Sequence, residues 1–410
     1  MELSVAALTD VGRVRTNNED SYFADRDLGL FVVCDGMGGH NAGEVASQAT
    51  CDVLLREIEG ASRVRERFLA TGSPEDAEAL RRLLDGAMNT ASREIFKRAA
   101  KEPELAGMGT TCTAMLVIGH HKALAAQVGD SRLYVHRAGR IRQLTDDHTY
   151  VNELVRRGSL TRDQARGHPQ GNVLSRAMGV QPWVAADTML FDLDPDDTYL
   201  LCSDGLHNYF PDAQQLLPGL VSPDLALGAH ALVREALDRG GHDNATAILV
   251  RVGGDAIGAS ATAERRILAL KRAPLFRQLG YNEVVRVVGQ TTVAHAAPGQ
   301  VVAREGDAGT ELYVVLAGEL EVEKGGRAAG TLGPGAHFGE LALTDPSSRS
   351  TTVRARSAVT LLVLRRPELI ALVRSDPVIA SKILWSFVVA LSGRVPDAAD
   401  ADDFEVELDG

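Results

Sequence analysis

The sequence predicts an α+β fold with two domains, and its 410 residues are enough for both. Residues 1–252 combine short, unbroken apolar runs, which are typical of strands buried on both faces, with segments of helical periodicity. Residues 283–365 contain short strands separated by glycine turns, which indicate a small β-roll or barrel. The stretch 253–264 is rich in small residues and is interpreted as a linker.

Four helices are predicted in the first domain. Residues 44–58 place apolar side chains four positions apart, as in an amphipathic helix. A second helix begins after Ser73, the expected N-cap, with Pro74 at its first position. Helical periodicity returns near 149–157 and near 225–238. Further strands are predicted around residues 110–118, 122–128 and 132–136.

The second domain is expected to cover residues 265–395. One helix begins at Pro367, and Asp376 caps another that runs to about Leu391. The acidic tail at 396–410 explains much of the formal net charge of −12. Lys and Arg are scattered elsewhere, which argues against binding to nucleic acid or to an anionic membrane.

Cysteine usage and hydropathy indicate a cytoplasmic protein. The four cysteines lack CxxC spacing, so buried free thiols in a reducing compartment are expected. The N-terminus lacks the basic segment of a secretory signal, and no apolar run approaches the roughly 18 residues of a membrane span. The cysteines are Cys34, Cys51, Cys112 and Cys202.

Four aspartates lie beside the apolar runs. Asp35, Asp130 and Asp204 follow such runs, and Asp243 directly precedes one. Carboxylates gathered at strand ends would repel each other unless something strongly positive lay between them, and hard divalent cations are the obvious candidate. A lone Asp-Gly after a strand is more often a hairpin turn, so the signal comes from all four together.

The N-terminal segment adds a phosphate ligand and further metal ligands. Arg15 precedes Glu19 and Asp20. An Arg beside acids is usually a surface ion pair, but Arg can also grip phosphate with two parallel hydrogen bonds. Carboxylates and a bare peptide carbonyl such as that of Gly36 suit Mg²⁺ or Mn²⁺. Two such ions roughly 4 Å apart can turn a shared water into a hydroxide nucleophile.

Two other chemistries are excluded by spacing. A cysteine-dependent phosphatase needs Cys and Arg six positions apart in one loop, and none of the four cysteines has that Arg. The GxxxxGK[ST] loop of ATPases is also missing from the sequence.

The motifs of the first domain, in order, resemble those of the metal-dependent type 2C (PPM) Ser/Thr protein phosphatases, bacterial branch. They read RTNNED, VVCDGMGGHNAGEVAS, MGTTCTAMLV, VGDSRLYV, LTDDHTYVNELVRRGSLT, HPQGNVLSRAMG, LLCSDGL and GGHDNAT. The resemblance covers residues 1–252 and implies a four-layer α-β-β-α sandwich with the metals at one end. It also implies that segment 149–172 is a mobile flap that shapes substrate choice.

The same resemblance implies a role for each site residue. Asp35 would bridge two metals, and Asp35, Asp204 and Arg15 form the expected catalytic set. Arg15 would orient the substrate phosphate. The implied metal ligands are Glu19, Asp20, Asp35, the Gly36 carbonyl, Asp130 (a third, weaker metal site shared with Asp204), Asp204 and Asp243.

The identity of the general acid stays open. Many eukaryotic members carry a His where this chain has Met37. His40 and His148 could donate a proton, but a structural role is favoured for each. A metal-bound water is the other candidate.

The second domain resembles the cyclic-nucleotide-binding domain of bacterial regulators and kinase regulatory subunits. Gly299, Gly306 and Gly318 occupy the expected tight turns. The candidate nucleotide-binding residues are Gly339, Glu340, Leu341, Ala342, Arg349 and Ser350. The resemblance implies that Glu340 accepts a ribose hydroxyl, that the amides of residues 339–342 favour an anion, and that Arg349 pairs with the cyclic phosphate.

Alternatives remain at this site. Glu340 and Arg349 could form a salt bridge over an empty pocket. Ser350 resembles cAMP-binding members without excluding cGMP. Trp385 or Phe387 could cover the base, although core packing is the expectation for both.

These observations predict a metal-dependent protein Ser/Thr phosphatase that is regulated by cAMP or cGMP. Phosphoprotein substrates are expected, including a Ser/Thr kinase or its targets. One alternative is a non-catalytic cyclic-nucleotide sensor or scaffold with a phosphatase-like domain; another keeps the enzyme and makes the roll a docking module. The intact acidic set and Arg15 argue against the sensor.

Overall fold

The computed structural model describes five ranges of the chain: residues 2–38, 42–165, 167–254, 262–340 and 348–391. The chain divides into two compact units, Met1–Asp255 and Ala256–Gly410. Of the residues singled out above, His40, Leu341, Ala342 and the acidic tail lie outside the described ranges.

The first unit contains two antiparallel sheets and eight helices within the described ranges. Its strands are β1 (Glu2–Asp10), β2 (Asp20–Asp25), β3 (Leu30–Met37), β4 (Gly109–Thr110), β5 (Cys112–Gly119), β6 (Lys122–Val128), β7 (Arg132–Arg137), β8 (Arg140–Gln143), β9 (Asp187–Asp192), β10 (Thr198–Cys202) and β11 (Ala245–Gly253). Its helices are α1 (Ala42–Glu59), α2 (Ser62–Thr71), α3 (Pro74–Lys101), α4 (Tyr150–Arg156), α5 (Arg162–Ala165), α6 (Asp204–His207), α7 (Leu217–Leu220) and α8 (Leu225–Asp238).

The two sheets face each other and helices cover their outer faces. One sheet has the strand order β1-β11-β10-β7-β8; the other has the order β2-β3-β5-β6-β9, with β4 paired to β3. Helix α1 packs on β3 and on α3, and α8 packs on β1 and β11. This is the predicted four-layer α-β-β-α sandwich.

Strand β3 shows why the apolar runs are unbroken. Leu30, Val32 and Cys34 belong to the core under the helices. Phe31 and Val33 point to the opposite face because side chains alternate along a strand, and both are fully buried. All four cysteines are buried free thiols, as predicted.

Two neighbouring helices, α3 and α2, illustrate what the sequence could and could not indicate. Helix α3 is capped as expected, since the Asp76 amide donates to the Ser73 hydroxyl at 3.1 Å. Helix α2 was not predicted, because Phe68 is its one buried side chain and it therefore has no apolar stripe.

The second unit is a β-roll with helices before and after it. Its strands are β12 (Thr292–Ala296), β13 (Val301–Ala303), β14 (Glu311–Ala317), β15 (Leu320–Lys324), β16 (Arg327–Leu332), β17 (His337–Phe338), β18 (Thr352–Ala355) and β19 (Val359–Arg365). Its helices are α9 (Ala263–Arg272), α10 (Tyr281–Gly289), α11 (Arg366–Ser375) and α12 (Pro377–Leu391). The strands form two sheets, with the orders β12-β19-β14-β17 and β13-β18-β15-β16.

The predicted turns and caps of the roll are present. Gly299, Gly306 and Gly318 have φ values of 82°, 86° and 86°, the left-handed region that favours glycine. The Asp376 carboxylate accepts from the amides of Val378 and Ile379 and so caps α12.

Three expectations need correction. Residues 283–289 are not strand but most of α10; the run of valines suggested a strand, yet it forms the buried face of a helix. Trp385 is not in the core, since 56% of its surface is exposed, whereas Phe387 is buried at 8%. Gly253 ends β11 and Ala263 already begins α9, so both ends of the interpreted linker are ordered. No helix in the described part of the chain is long and apolar enough to span a bilayer.

Candidate functional site

Two of the predicted acids are direct neighbours on paired strands. Asp20 in β2 lies opposite Asp35 in β3 in the antiparallel register. The backbone of Asp35 is fixed on its other side, where its amide donates to the Thr111 hydroxyl at 2.9 Å and its carbonyl accepts from the Thr110 hydroxyl at 2.8 Å. The sheet therefore holds Asp35 rigidly at the end of the sandwich.

Asp204 and Asp130 come to the same end from two other strands. Asp204 begins α6 one residue after β10 ends, and its carboxylate lies close enough to that of Asp35 for its charge to raise the pKa of Asp35. Asp130 lies in the turn after β6, where its carbonyl is 3.0 Å from Nε2 of His207. Because His207 is on the same short helix as Asp204, it ties these two acids together.

Asp243 and Glu19 complete the group. Asp243 precedes β11 and its charge acts on Asp204, Asp20 and Glu19. The Glu19 amide donates to the Asn244 side-chain oxygen at 2.9 Å. All six predicted carboxylates therefore converge, although they are spread over more than 200 residues of sequence.

Burial and mutual repulsion act strongly on this group. Desolvation is the largest cause that raises the pKa of Asp20 to about 7, with the charges of Asp204 and Asp243 adding to it. Desolvation likewise raises the pKa of Asp130 to about 7, helped by Asp204 and Asp147. The pKa of Asp35 is also well above its ordinary value, because of desolvation and the charges of Asp20, Asp204 and Asp130.

Two buried oxygens of the group lack partners. Asp20 accepts hydrogen bonds at Oδ2 from Ser203 at 2.7 Å and from Thr246 at 2.6 Å. Its Oδ1 and the Oδ1 of Asp204 are buried without any hydrogen-bond partner among the described residues. An unsatisfied buried carboxylate oxygen costs free energy, and a bound cation would remove that cost.

Close backbone packing explains the glycine after Asp35. A Cβ at Gly36 would overlap the carbonyl oxygens of Gly43 and Glu19. The Gly36 amide donates to that Glu19 carbonyl at 3.1 Å. Helix α1 therefore begins against the strand end, which brings the Glu19 and Asp35 segments together.

Arg15 lies at the rim of the acidic group. Its Nη2 is 2.7 Å from Oδ2 of Asp243, and about half of its side chain is exposed. Desolvation lowers the pKa of Arg15, but the charges of Asp243, Glu19 and Asp35 outweigh it, so the net shift is upward. The guanidinium is thus held charged at the entrance to the cluster.

The donor set fits a hard divalent cation, although the ligands are not preassembled. No three His, Cys, Asp or Glu side chains in the described ranges already stand in an arrangement that could hold a metal ion. The oxygen-only donors and the two unpartnered oxygens fit Mg²⁺ or Mn²⁺.

His148 is engaged as a structural residue. It is 2% exposed, its Nδ1 accepts from the Gly129 amide at 3.2 Å, and its Nε2 is 3.3 Å from Asp187. Because both ring nitrogens are occupied, His148 anchors the base of segment 149–172 to the turn that carries Asp130.

Four polar residues that were not predicted support the acids. Ser203, Thr246 and Thr111 position Asp20 and Asp35, and the Asn244 amide donates to the carbonyls of Val11 and Asn17 at 2.9 Å. All four residues lie within the motifs that resemble the phosphatase family: Thr111 in MGTTCTAMLV, Ser203 in LLCSDGL, and Asn244 and Thr246 in GGHDNAT. Their roles were not predicted, because a hydroxyl or amide side chain does not show in the sequence which carboxylate or carbonyl it will contact.

In the second unit, Arg349 is buried but its partner is not the expected one. Its guanidinium donates to the carbonyl and the carboxylate of Glu311, at 2.9 and 3.0 Å, rather than pairing with Glu340. It lies 5.5 Å from the Tyr313 ring centroid. The proposed Glu340–Arg349 salt bridge is therefore wrong.

Glycines make the room that Arg349 occupies. A Cβ at Gly309 or at Gly339 would overlap its guanidinium. Gly339 also has a φ of 84°. Glu340 and Ser350 are described and lie at the two ends of the undescribed residues 341–347.

A sandwich of two antiparallel sheets between helices, with six carboxylates at one end, is the architecture of metal-dependent phosphatases. A family model described as protein phosphatase 2C matches residues 12–236, more than half of the chain. The chain therefore belongs to the protein phosphatase 2C (PPM) family of metal-dependent Ser/Thr phosphatases. A model described as cyclic nucleotide-binding domain matches residues 293–376, so the chain also carries that domain.

Relatives with known names match the first unit. Serine/threonine phosphatase Stp of Listeria innocua is 37% identical over 245 residues, which are 59% of this chain and 93% of that relative. PstP of Mycobacterium tuberculosis is 38% identical over 250 residues, 61% of this chain and 45% of that relative. The crystal structure of the PstP catalytic domain in complex with two manganese ions has a TM-score of 0.52 at 36% identity, covering 62% of this chain and 99% of that one.

Proposed function

We propose that this chain hydrolyses phosphoserine and phosphothreonine in proteins, with Mg²⁺ or Mn²⁺ bound among the six carboxylates. The observation that carries the proposal is the pair of buried, unpartnered oxygens of Asp20 and Asp204 at the centre of that group. A folded chain tolerates such atoms when a ligand satisfies them. The manganese complex of PstP supports the choice of ion.

Each carboxylate has a proposed position in the site. Asp35, opposite Asp20 and near Asp204, would hold both ions, and the Gly36 carbonyl would be a further ligand. Asp204 and Asp243 would complete the coordination of one ion. The other ion would be held by Glu19 and Asp20, mainly through waters, and Asp130 would serve a third, weaker site together with Asp204.

The remaining roles in the proposed reaction are activation of water, binding of the substrate phosphate and protonation of the leaving oxygen. When bound, the ions would supply Lewis acidity that activates water as the nucleophile. Arg15 would exchange its bond to Asp243 for two parallel hydrogen bonds to the substrate phosphate. Because His148 has no free nitrogen, the proton for the leaving oxygen would come from His40 or from a metal-bound water.

We also propose that the second unit binds cAMP or cGMP and adjusts the phosphatase. Arg349, buried between two glycines, offers a charged partner for a cyclic phosphate. A nucleotide that prefers one state of the protein would shift activity by about 1–3 kcal/mol of coupling free energy. Membership of this phosphatase family supports a Ser/Thr kinase, or the targets of that kinase, as the substrate.

The phosphatase proposal is tested by turnover of p-nitrophenyl phosphate in the presence of Mn²⁺. Wild type should hydrolyse it, and Asp204→Asn should abolish turnover while melting at a temperature close to that of wild type. Asp212→Asn, at the exposed start of a short helical turn, is the control and should retain activity. Unchanged activity in Asp204→Asn would defeat the metal assignment.

The nucleotide proposal needs a separate binding measurement. Calorimetry with cAMP and with cGMP should show heat for at least one, and Arg349→Ala should weaken it strongly. Turnover measured with and without that nucleotide then gives the direction of regulation. If neither nucleotide gives heat, the roll is a docking module instead.

A further inference from the structure

We propose that Met37 and Val180 form an apolar shelf that binds an apolar side chain next to the phosphorylated residue of the substrate. This inference rests on the proposed phosphatase function and names its substrate class: segments with Leu, Ile, Val or Met beside the phosphoserine or phosphothreonine.

The shelf begins on the strand that carries the bridging carboxylate. Asp35 and Met37 are two residues apart in β3, so their side chains leave the same face of the strand. Along a strand that separation is about 7 Å. An extended substrate spans a similar distance over two residues, so a flanking side chain can reach Met37 while the phosphate occupies the site.

Val180 joins the shelf through two neighbouring backbone segments. Met37 lies opposite Gly109 in β4. Thr110 and Met178 exchange both backbone hydrogen bonds, at 3.2 and 2.8 Å, which adds a third extended segment beside β4. Val180 follows two residues later, with 54% of its surface exposed.

Gly109 lets the two side chains meet. A Cβ at Gly109 would lie 2.8 Å from Cε of Met37 and 3.3 Å from Cγ2 of Val180. The two methyl groups therefore lie within about 6 Å of each other above the Gly109 backbone. Any larger residue there would separate them, so the glycine creates one continuous apolar surface.

The loop that carries Val180 is fixed by hydrogen bonds. The Ser92 hydroxyl donates to the Gln181 carbonyl at 2.8 Å, and the Val184 amide donates to the Asn89 side chain at 3.0 Å. Trp183 in the same loop is 63% exposed. A tethered loop that presents large apolar side chains beside a catalytic group is typical of a binding surface.

Desolvation points to the same class of substrate. The carboxylate of a flanking Glu or Asp would lose hydration against the apolar surface of Met37 and Val180. An apolar flank avoids that cost and buries area on the two side chains.

The test compares kcat/KM for phosphothreonine peptides that carry Leu or Glu one position before or one position after the phosphothreonine, using the full chain with Mn²⁺. Wild type should favour Leu at one of these positions by about tenfold, as partial burial of one leucine predicts. Val180→Asn should reduce that preference to less than about twofold, because it removes the apolar contact without adding a charge. Val221→Asn, also exposed but beside α7, is the matched control and should keep the preference.

A substrate without flanks separates this inference from the phosphatase proposal. N-acetyl-phosphothreonine N-methylamide should be hydrolysed equally by wild type and Val180→Asn, since it has no flanking side chain to contact the shelf. If wild type does not hydrolyse it, both the phosphatase proposal and the shelf are wrong. If wild type hydrolyses it but treats Leu and Glu peptides alike, or if Val180→Asn keeps the preference, the shelf alone is wrong. If the Val180 variant loses a dimer that wild type forms on size-exclusion chromatography, while the Leu preference is unchanged, the surface is an interface between two copies of the chain instead.

Discussion

The buried carboxylate of Asp20 makes the stability of the metal-free protein depend on pH. Its folded pKa of about 7 is above the value of about 4 expected for an unfolded Asp. A raised acid pKa means that the unfolded chain releases this proton first. Stability is therefore lost as pH rises from about 4 towards 7.

The size of the effect follows from the two pKa values. Between pH 5 and pH 7.5 the loss is roughly 2 kcal/mol for this carboxyl group. Other groups oppose it: desolvation lowers the pKa of His207 to about 3, so His207 adds stability over the same interval. The measurement must therefore compare wild type with Asp20→Asn, which removes this titration together with the part of the Asp35 pKa shift that the Asp20 charge causes.

The assay is urea unfolding in EDTA at both pH values. The Asn side chain can still accept from Ser203 and Thr246, so the variant should fold. The stability of Asp20→Asn relative to wild type should rise by roughly 2 kcal/mol from pH 5 to pH 7.5. Saturating Mn²⁺ at pH 7.5 should stabilise wild type more than Asp20→Asn, because wild type can bind the ion through an ionised carboxylate. A difference that does not change with pH would refute this reasoning.

Three further changes have expected outcomes. Gly36→Ala should lower the melting temperature and reduce Mn²⁺-dependent turnover at least tenfold, because its Cβ overlaps two backbone carbonyls. Arg15→Lys should lower kcat/KM for phosphopeptides at least tenfold, since Lys cannot make the bidentate contact; Arg13→Lys, in an exposed ion pair, should not. Glu311→Gln should tighten nucleotide binding several-fold in calorimetry, because it frees Arg349 from a partly exposed ion pair worth about 0.5–1 kcal/mol. Weaker binding in that variant would show that Glu311 positions the guanidinium instead of competing for it.

Much of the fold was predictable because its signals are local. The N-cap of α3 at Ser73 depends on a few consecutive residues, and so does the apolar run of β3. Failures occurred where packing decides against a local pattern. The valines of α10 favour a strand but are buried as one face of a helix. Trp385 occupies a helical position that is usually buried, and only the packing of α12 shows that it is exposed.

Four of the six acids of the candidate site were predictable because each follows or precedes a recognisable apolar run, and Glu19 and Asp20 because they lie in the RTNNED motif. The supporting roles of Ser203 and Thr246 were not predictable, because a hydroxyl residue does not show in the sequence which carboxylate it will contact. The partner of Arg349 was also hidden: Glu311 is 38 positions away in sequence and reaches the guanidinium only through the roll. Pairings of this kind depend on tertiary structure.

The most decisive measurement is anomalous X-ray diffraction from crystals of the full chain grown with MnCl₂. Two anomalous peaks are expected, both within coordination distance of the Asp35 carboxylate. One ion should also be coordinated by Asp204 and Asp243, and the other should contact Glu19 and Asp20 mainly through bound waters. If saturating manganese leaves this end of the sandwich without a peak, the six carboxylates do not form the metal centre and the proposed hydrolysis has no nucleophile.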